Sequence, residues 1–333
     1  MTLHNPNFRF TGLDAFWIVH ERLSQDREPS RDQWDRLFHD PGYSVLFRND
    51  PSFHRQLLRE KFSLAYRPSR RKERQGALRD GTDRLLAHYV RVGERRGEIA
   101  RFLRVWSHRD VTGEARVAAG RFLPPGLLER LLDPPVSFIV FKSDARGFST
   151  VLMDPLACLE WPDPVLLLAH EYHHFFRRTA MEQRPRDPTA RPPDPLLRLL
   201  DSVESEGVAD LINRSPLFRP PGPRRPTDRA YVQWVKQAPE LLKVVDGAFS
   251  ICSAMPEERS WVADWLMNFL PDGGHQLGFY MARGILRHLG RKRLLRCVGE
   301  PALFFTTYQK AAQYPHSYLA QFSTRSARFW RRL

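Results

Sequence analysis

The chain has 333 residues, 42% of them hydrophobic and 12% aromatic, and 52 Lys and Arg against 38 Asp and Glu give a net charge of +14. That much apolar material can fill a core, so the composition excludes wholesale disorder. Its three cysteines, Cys158, Cys252 and Cys297, are far apart with no Cys-x-x-Cys spacing, which excludes a disulfide framework and a Cys-type zinc site.

The length suits one elaborated domain or two closely packed halves. The basic residues are scattered through the chain, and the densest run, Arg67 to Arg74, reads as a solvated connector. No zinc-knuckle, helix-turn-helix or aromatic-basic motif accompanies them, so a nucleic-acid partner is not expected. No basic segment followed by an apolar one opens the sequence, and no apolar run approaches the roughly 20 residues that cross a bilayer. The expectation is a soluble cytoplasmic protein with no membrane partner.

Residues 1–65 read as short helices with apolar anchors at Phe16, Trp17, Trp34, Leu37 and Tyr43. Over 72–107 the spacing of Leu78, Leu85, Leu86, Tyr89, Val92, Ile99, Leu103 and Trp106 predicts a helix hairpin broken near Gly93. A further helix is expected at about 109–121. The texture then changes. Val136–Phe141 and Gly147–Met153 are β-branched and aromatic, with a turn at 143–147 between them, and read as a β-hairpin. Asp163 as N-cap and Pro164 at the first helical position open a helix over about 164–180. A Pro-rich stretch covers 184–195, a helix 195–213, and a second Pro-rich loop 215–226. From 228 onward the pattern is helical, broken at Pro256, at Pro271-Asp272-Gly273-Gly274 and at Pro301.

Residues 170–174 read His-Glu-Tyr-His-His. Four residues on a helix make about one turn, so His170 and His174 project from one face and can share a Zn2+ ion. Glu171 then reaches a water on that ion as general base. Pairing His170 with His173 instead leaves Glu171 without that role. A catalytic zinc takes three protein ligands. Glu206 is the expected third, with Glu204 as the other candidate. Asp210, four residues after Glu206, is expected to accept a hydrogen bond from a ligand histidine. Gly207 and Ala209 are small enough to let their helix approach the histidine helix closely.

These residues resemble the gluzincin group of zinc metallopeptidases, with its His-Glu-x-x-His followed by Glu-x-x-x-Asp on a second helix: His170, Glu171, His174, Glu206 and Asp210 here. The resemblance is greatest to a bacterial family named as zinc-dependent peptidases. The Glu206–Asp210 run, the extended 147–154 run and the helix around 278–284 carry it, from about residue 136 to 290. It implies a mainly helical α+β fold with a zincin-like catalytic core, a small β-hairpin or sheet and an active-site helix bearing the histidines. It also implies an edge strand, here Gly147–Met153, that pairs with an extended substrate. Residues 1–125 would be a helical region packed on the core, and 126–333 the catalytic region with a helical C-terminal part. The implied function is zinc-dependent hydrolysis of peptide bonds in a peptide or protein substrate. His275 and Tyr280 are the candidates to stabilise the oxyanion. Arg146 and Arg283 could take a substrate carboxylate, though no substrate-binding residue is singled out. The alternative is a non-enzymatic, Arg-rich nucleic-acid-binding or regulatory protein whose histidine cluster is structural. Neither substrate preference nor oligomeric state is legible.

Overall fold

The computed structural model describes residues 5–79, 81–183, 195–220, 222 and 225–330. Of the Pro-rich stretch expected at 184–195, residues 184–194 lie outside them, as do residues 221, 223 and 224 of the loop expected at 215–226. The described chain is mainly helical α+β, with one small mixed sheet. It divides into two compact units, residues 1–117 with 132–175 and residues 118–131 with 176–333.

The first unit begins with β1 (Phe8–Arg9) and the helices α1 (Thr11–Ser24), α2 (Arg31–Phe38), α3 (Pro41–Asn49) and α4 (Arg55–Tyr66). Next come α5 (Arg71–Arg79), α6 (Arg84–Glu94), α7 (Arg96–Trp106) and α8 (Val111–Gly120). The expected hairpin is α6 and α7, which meet at Arg95, two residues past Gly93. The basic connector at 67–74 is largely helical. Arg74 turns back to bond the Ala65 carbonyl at 2.9 Å, closing the C-terminus of α4.

The strands follow as β2 (Val136–Phe138), β3 (Ala145–Gly147) and β4 (Val151–Met153), in the sheet order β1-β2-β4-β3. This corrects the hairpin expectation. Val136–Phe138 and Val151–Met153 lie parallel, Ser137 opposite Leu152, and the antiparallel partner of β4 is β3, which sits where a turn is expected. β2 also stops three residues short of Phe141. The Val140 amide bonds the Tyr43 hydroxyl at 3.2 Å and the Phe141 amide bonds Asp154 Oδ2 at 3.2 Å. Side chains thus satisfy the backbone groups that a longer ladder would use. β1 is two residues long and pairs parallel with β2, too short to leave a periodic signal.

Asp154 ends β4 and caps α9 (Pro155–Glu160), bonding the Leu156 and Ala157 amides at 3.0 Å each. Its other oxygen meets His88 Nε2 at 2.9 Å. Asp163 accepts from the Val165 amide at 3.1 Å and opens α10 (Pro164–Glu182), as expected for an N-cap followed by proline. Val165, Leu167, Leu168 and Ala169 are buried ahead of the histidines.

The second unit is built around α11 (Pro195–Asn213), whose residues from Val203 to Asn213 are almost all buried. A helix buried on nearly every side is a central one. The chain continues through α12 (Pro226–Lys236), α13 (Ala238–Ala254), α14 (Arg259–Phe269), α15 (His275–Leu289), α16 (Arg291–Leu295), α17 (Pro301–Ala312) and α18 (Thr324–Phe329). α15 packs against α11 at two glycines, and α14 and α17 also pack on α11. Among the described residues, no helix is long and apolar enough to cross a membrane.

Candidate metal centre

α10 presents His170 and His174 one turn apart. Their Nε2 atoms are 2.9 Å from each other and their ring centroids 4.6 Å. Two nitrogens bound to one tetrahedral zinc at 2.0–2.1 Å stand about 3.3 Å apart, so the pair is close to the separation a shared ion requires. His173, the other possible partner for His170, is completely buried, with its ring centroid 6.2 Å from that of His174.

Glu171 is buried at 6% exposure. Strand β3 passes directly over it. A methyl group placed on Gly147 would come within 2.7 Å of the Glu171 carbonyl oxygen and 3.1 Å of its Oε2. The glycine is there because no side chain fits between the strand and the carboxylate. In the sheet order the edge strand on this side is β3, with β1 at the opposite edge. β4, inside the run expected to form the edge, lies between β2 and β3 and is fully buried.

On the second unit, α11 and α15 bring three side chains together. His275 Nε2 lies 3.1 Å from Glu206 Oε2, and His275 Nδ1 lies 3.0 Å from Asp210 Oδ2. Tyr231, from α12, donates its hydroxyl to the same Asp210 oxygen at 2.7 Å. His275 thus meets Asp210 through Nδ1. Burial alone would depress the His275 imidazole, but Glu206 and Asp210 outweigh it and hold it up to about 10. The turn that delivers His275 is unusual. Asp272, Gly273 and Gly274 all have positive φ, of 45°, 66° and 99°. Two glycines make that left-handed entry cheap, and a methyl group on Gly274 would meet Val203 Cγ2 at 2.8 Å.

His170, His174 and Glu206 each offer one ligand atom, and these atoms all lie within 4.8 Å of one another. The donor set, two imidazoles and one carboxylate, is that of catalytic zinc sites. Glu204 is engaged elsewhere. It is fully buried, accepting from Arg177 Nε at 3.0 Å and from Arg177 Nη2, while its other oxygen takes the Gly299 amide at 3.3 Å. Tyr280 stands five residues after His275, about 140° further round α15. Its hydroxyl accepts from the Ala320 amide at 3.0 Å and its ring lies beside Tyr308. Arg146, on β3, pairs with Asp144 at 3.0 Å.

Three residues escaped the sequence reading. Tyr231 belongs to the buried stripe of an ordinary amphipathic helix, and nothing local separates it from core. Asp154 follows a strand with no motif around it. Arg177 did leave a signal, standing seven residues after His170 and so on the same helical face. A basic residue continuing the histidine stripe into a buried face requires a buried acid opposite.

The helical frame, the small mixed sheet and this His-His-Glu group define a mainly helical α+β protein with a candidate metal centre. The chain belongs to the family described as "Putative zinc dependent peptidase (DUF5700)", which matches residues 34–317. Neither the curated proteins nor the solved structures contain a match to the chain.

Proposed function

We propose that the protein is a zinc-dependent peptidase, with His170, His174 and Glu206 holding the metal and Glu171 acting as general base. The observation that carries this reading is the approach of the three ligand atoms to within 4.8 Å of one another, two of them on the helix α10 that also bears Glu171 and the third on α11. Membership of a family named for zinc-dependent peptidases supports it. Zinc, when bound, supplies a Lewis acid for the scissile carbonyl and lowers the pKa of a water to roughly 7.

The chain's own residues do the rest. Glu171 takes the proton of the attacking water and passes it to the departing amine nitrogen. Its burial under β3 excludes bulk water from that transfer. β3 is an edge strand of the sheet and lies against Glu171, a position from which a strand can align an extended substrate beside the base. His275, whose Nε2–H faces Glu206, shares that proton with the carbonyl oxygen as charge develops there. Asp210 and Tyr231 hold the imidazole in place from its other side. Tyr280, engaged with Ala320, takes no part.

The test is metal analysis combined with two variants. Purified protein is expected to carry about one zinc per chain. Glu171→Gln is expected to keep the zinc and lose hydrolysis of a proteome-derived peptide library. His174→Ala is expected to lose the zinc. Unaltered zinc content in His174→Ala, or full activity in Glu171→Gln, overturns the reading.

A further inference from the structure

From His275, the residues at successive four-residue steps along α15 are Phe279, Arg283 and Arg287. They form one inclined ridge on the helix surface. Phe279 is buried and stacks on Phe218, ring centroids 5.1 Å apart. The Arg283 guanidinium lies over the other ring of that pair, 4.8 Å from the Phe218 centroid. Arg219 follows Phe218 directly. Arg219, Arg283 and Arg287 are all exposed.

Most other arginines near the site have an acidic partner: Arg177 with Asp201 and Glu204, Arg225 with Asp228, Arg214 with Asp210 and Asp228. Arg219, Arg283 and Arg287 pair with no carboxylate among the described residues. They repel one another instead. Partial burial, then Arg287 and Arg219, hold the Arg283 guanidinium below its ordinary value. Three uncompensated cations cost free energy unless an anion neutralises them, and the Phe218 stack fixes Arg283 in advance of any ligand.

We propose that Arg219, Arg283 and Arg287 form a binding site for the acidic side chains of a peptide substrate. The inference rests on the peptidase reading for its substrate class. Eight residues of α-helix place Arg283 about 12 Å along the axis from His275, and twelve place Arg287 about 18 Å away. An extended peptide advances roughly 3.3 Å per residue. The acidic side chains are therefore about four to five residues from the scissile bond.

The experiment measures fluorescence anisotropy of labelled octaglutamate, octaglutamine and octathymidylate on the full chain carrying Glu171→Gln, which prevents turnover. Octaglutamate is expected to bind and octaglutamine not. Replacing all three arginines (Arg219→Gln, Arg283→Gln, Arg287→Gln) is expected to weaken octaglutamate about tenfold. A control triple variant, Arg48→Gln, Arg55→Gln and Arg101→Gln, removes the same charge from exposed positions elsewhere and is expected to change binding less than twofold. Equal losses in the two triple variants, or no loss in the first, overturn the proposal. Octathymidylate binding that is tighter than octaglutamate binding and depends on the trio overturns it in favour of a nucleic-acid site. Hydrolysis is read separately, on the chain with native Glu171. Trio-dependent octaglutamate binding without cleavage of any peptide sinks the peptidase reading and leaves the anion site standing. Cleavage with no preference for acidic residues four to five positions from the cut sinks this inference alone.

Discussion

Gly207 of α11 and Gly278 of α15 are in backbone contact. A methyl group on Gly207 would come within 2.5 Å of Gly278 Cα, and one on Gly278 within 2.8 Å of Gly207 Cα. These glycines set the separation of the helix carrying Glu206 and Asp210 from the helix carrying His275. Backbone atoms cannot rotate away as a side chain can, so Gly207→Ala must force the helices apart. Overpacking of this kind costs about 1–3 kcal/mol, and more where backbone blocks relaxation. Urea denaturation is expected to show a loss near the top of that range. A midpoint equal to that of the parent chain would mean that the helices part freely.

Gly147 tests a different contact, between β3 and Glu171. Gly147→Ala places a methyl group against the Glu171 carbonyl and near its carboxylate. β3 is a short edge strand, so it can shift outward at small cost to the fold. Glu171 would lose its burial and its alignment. Peptide hydrolysis is expected to fall at least about tenfold, since misplacements near 1 Å can cost two orders of magnitude. Zinc content should stay the same. Unchanged kcat/KM would show that the strand does not position the base.

Arg177 and Glu204 make a buried pair within the second unit, the carboxylate wholly shielded from solvent. Burial opposes the Arg177 charge, yet Glu204 and Asp201 outweigh it and hold the guanidinium well above its ordinary value. Arg177→Met strands a buried carboxylate and is expected to cost about 3–5 kcal/mol. Adding Glu204→Leu removes the stranded charge and should recover most of that loss. Destabilisations that simply add in a double-mutant cycle would show the two side chains to be uncoupled.

His20 predicts a pH dependence. Burial, then the nearby Arg96 charge, lowers its imidazole to about 4. Its Nδ1 is buried with no hydrogen-bond partner among the described residues, and its ring lies 4.5 Å from Tyr66. The unfolded chain takes up the proton near the ordinary value of about 6.5, whereas the folded one resists until about 4. The contribution to stability is therefore complete above about 6.5 and is lost as pH falls toward 4. Discounted for the part of the ring that water reaches, it amounts to about 1–2 kcal/mol. His20→Phe should flatten the stability profile between pH 7 and 4, measured by urea melts. Parallel profiles for the two proteins would rule out His20 as the titrating group.

How much the sequence revealed depended on range along the chain. The pairing of His170 with His174 is a property of one helical turn. The helix bearing them announces itself through Asp163, Pro164 and the apolar run that follows. Glu206 and Asp210 share a face for the same local reason. The sheet was misread because pairing partners are chosen by contacts that no local pattern encodes. β2 and β4 have the composition of a hairpin, yet they lie parallel and β3 takes the antiparallel place beside β4.

Sequence by itself thus determined which residues could bind a metal and which could act as base, because periodicity and capping chemistry are local. Only tertiary structure separates the surroundings of Glu204 from those of Glu206. Both are carboxylates on one helix, but Arg177 and Gly299 engage the first while His275 meets the second, and the proposed ligand follows from that difference. The placement of His275 depends on tertiary structure likewise, since its two carboxylate partners stand 65 or more residues away in the chain. Contacts of that span follow from the packing of whole helices, and here that packing rests on two glycines whose reason for being glycine appears only when α11 and α15 meet.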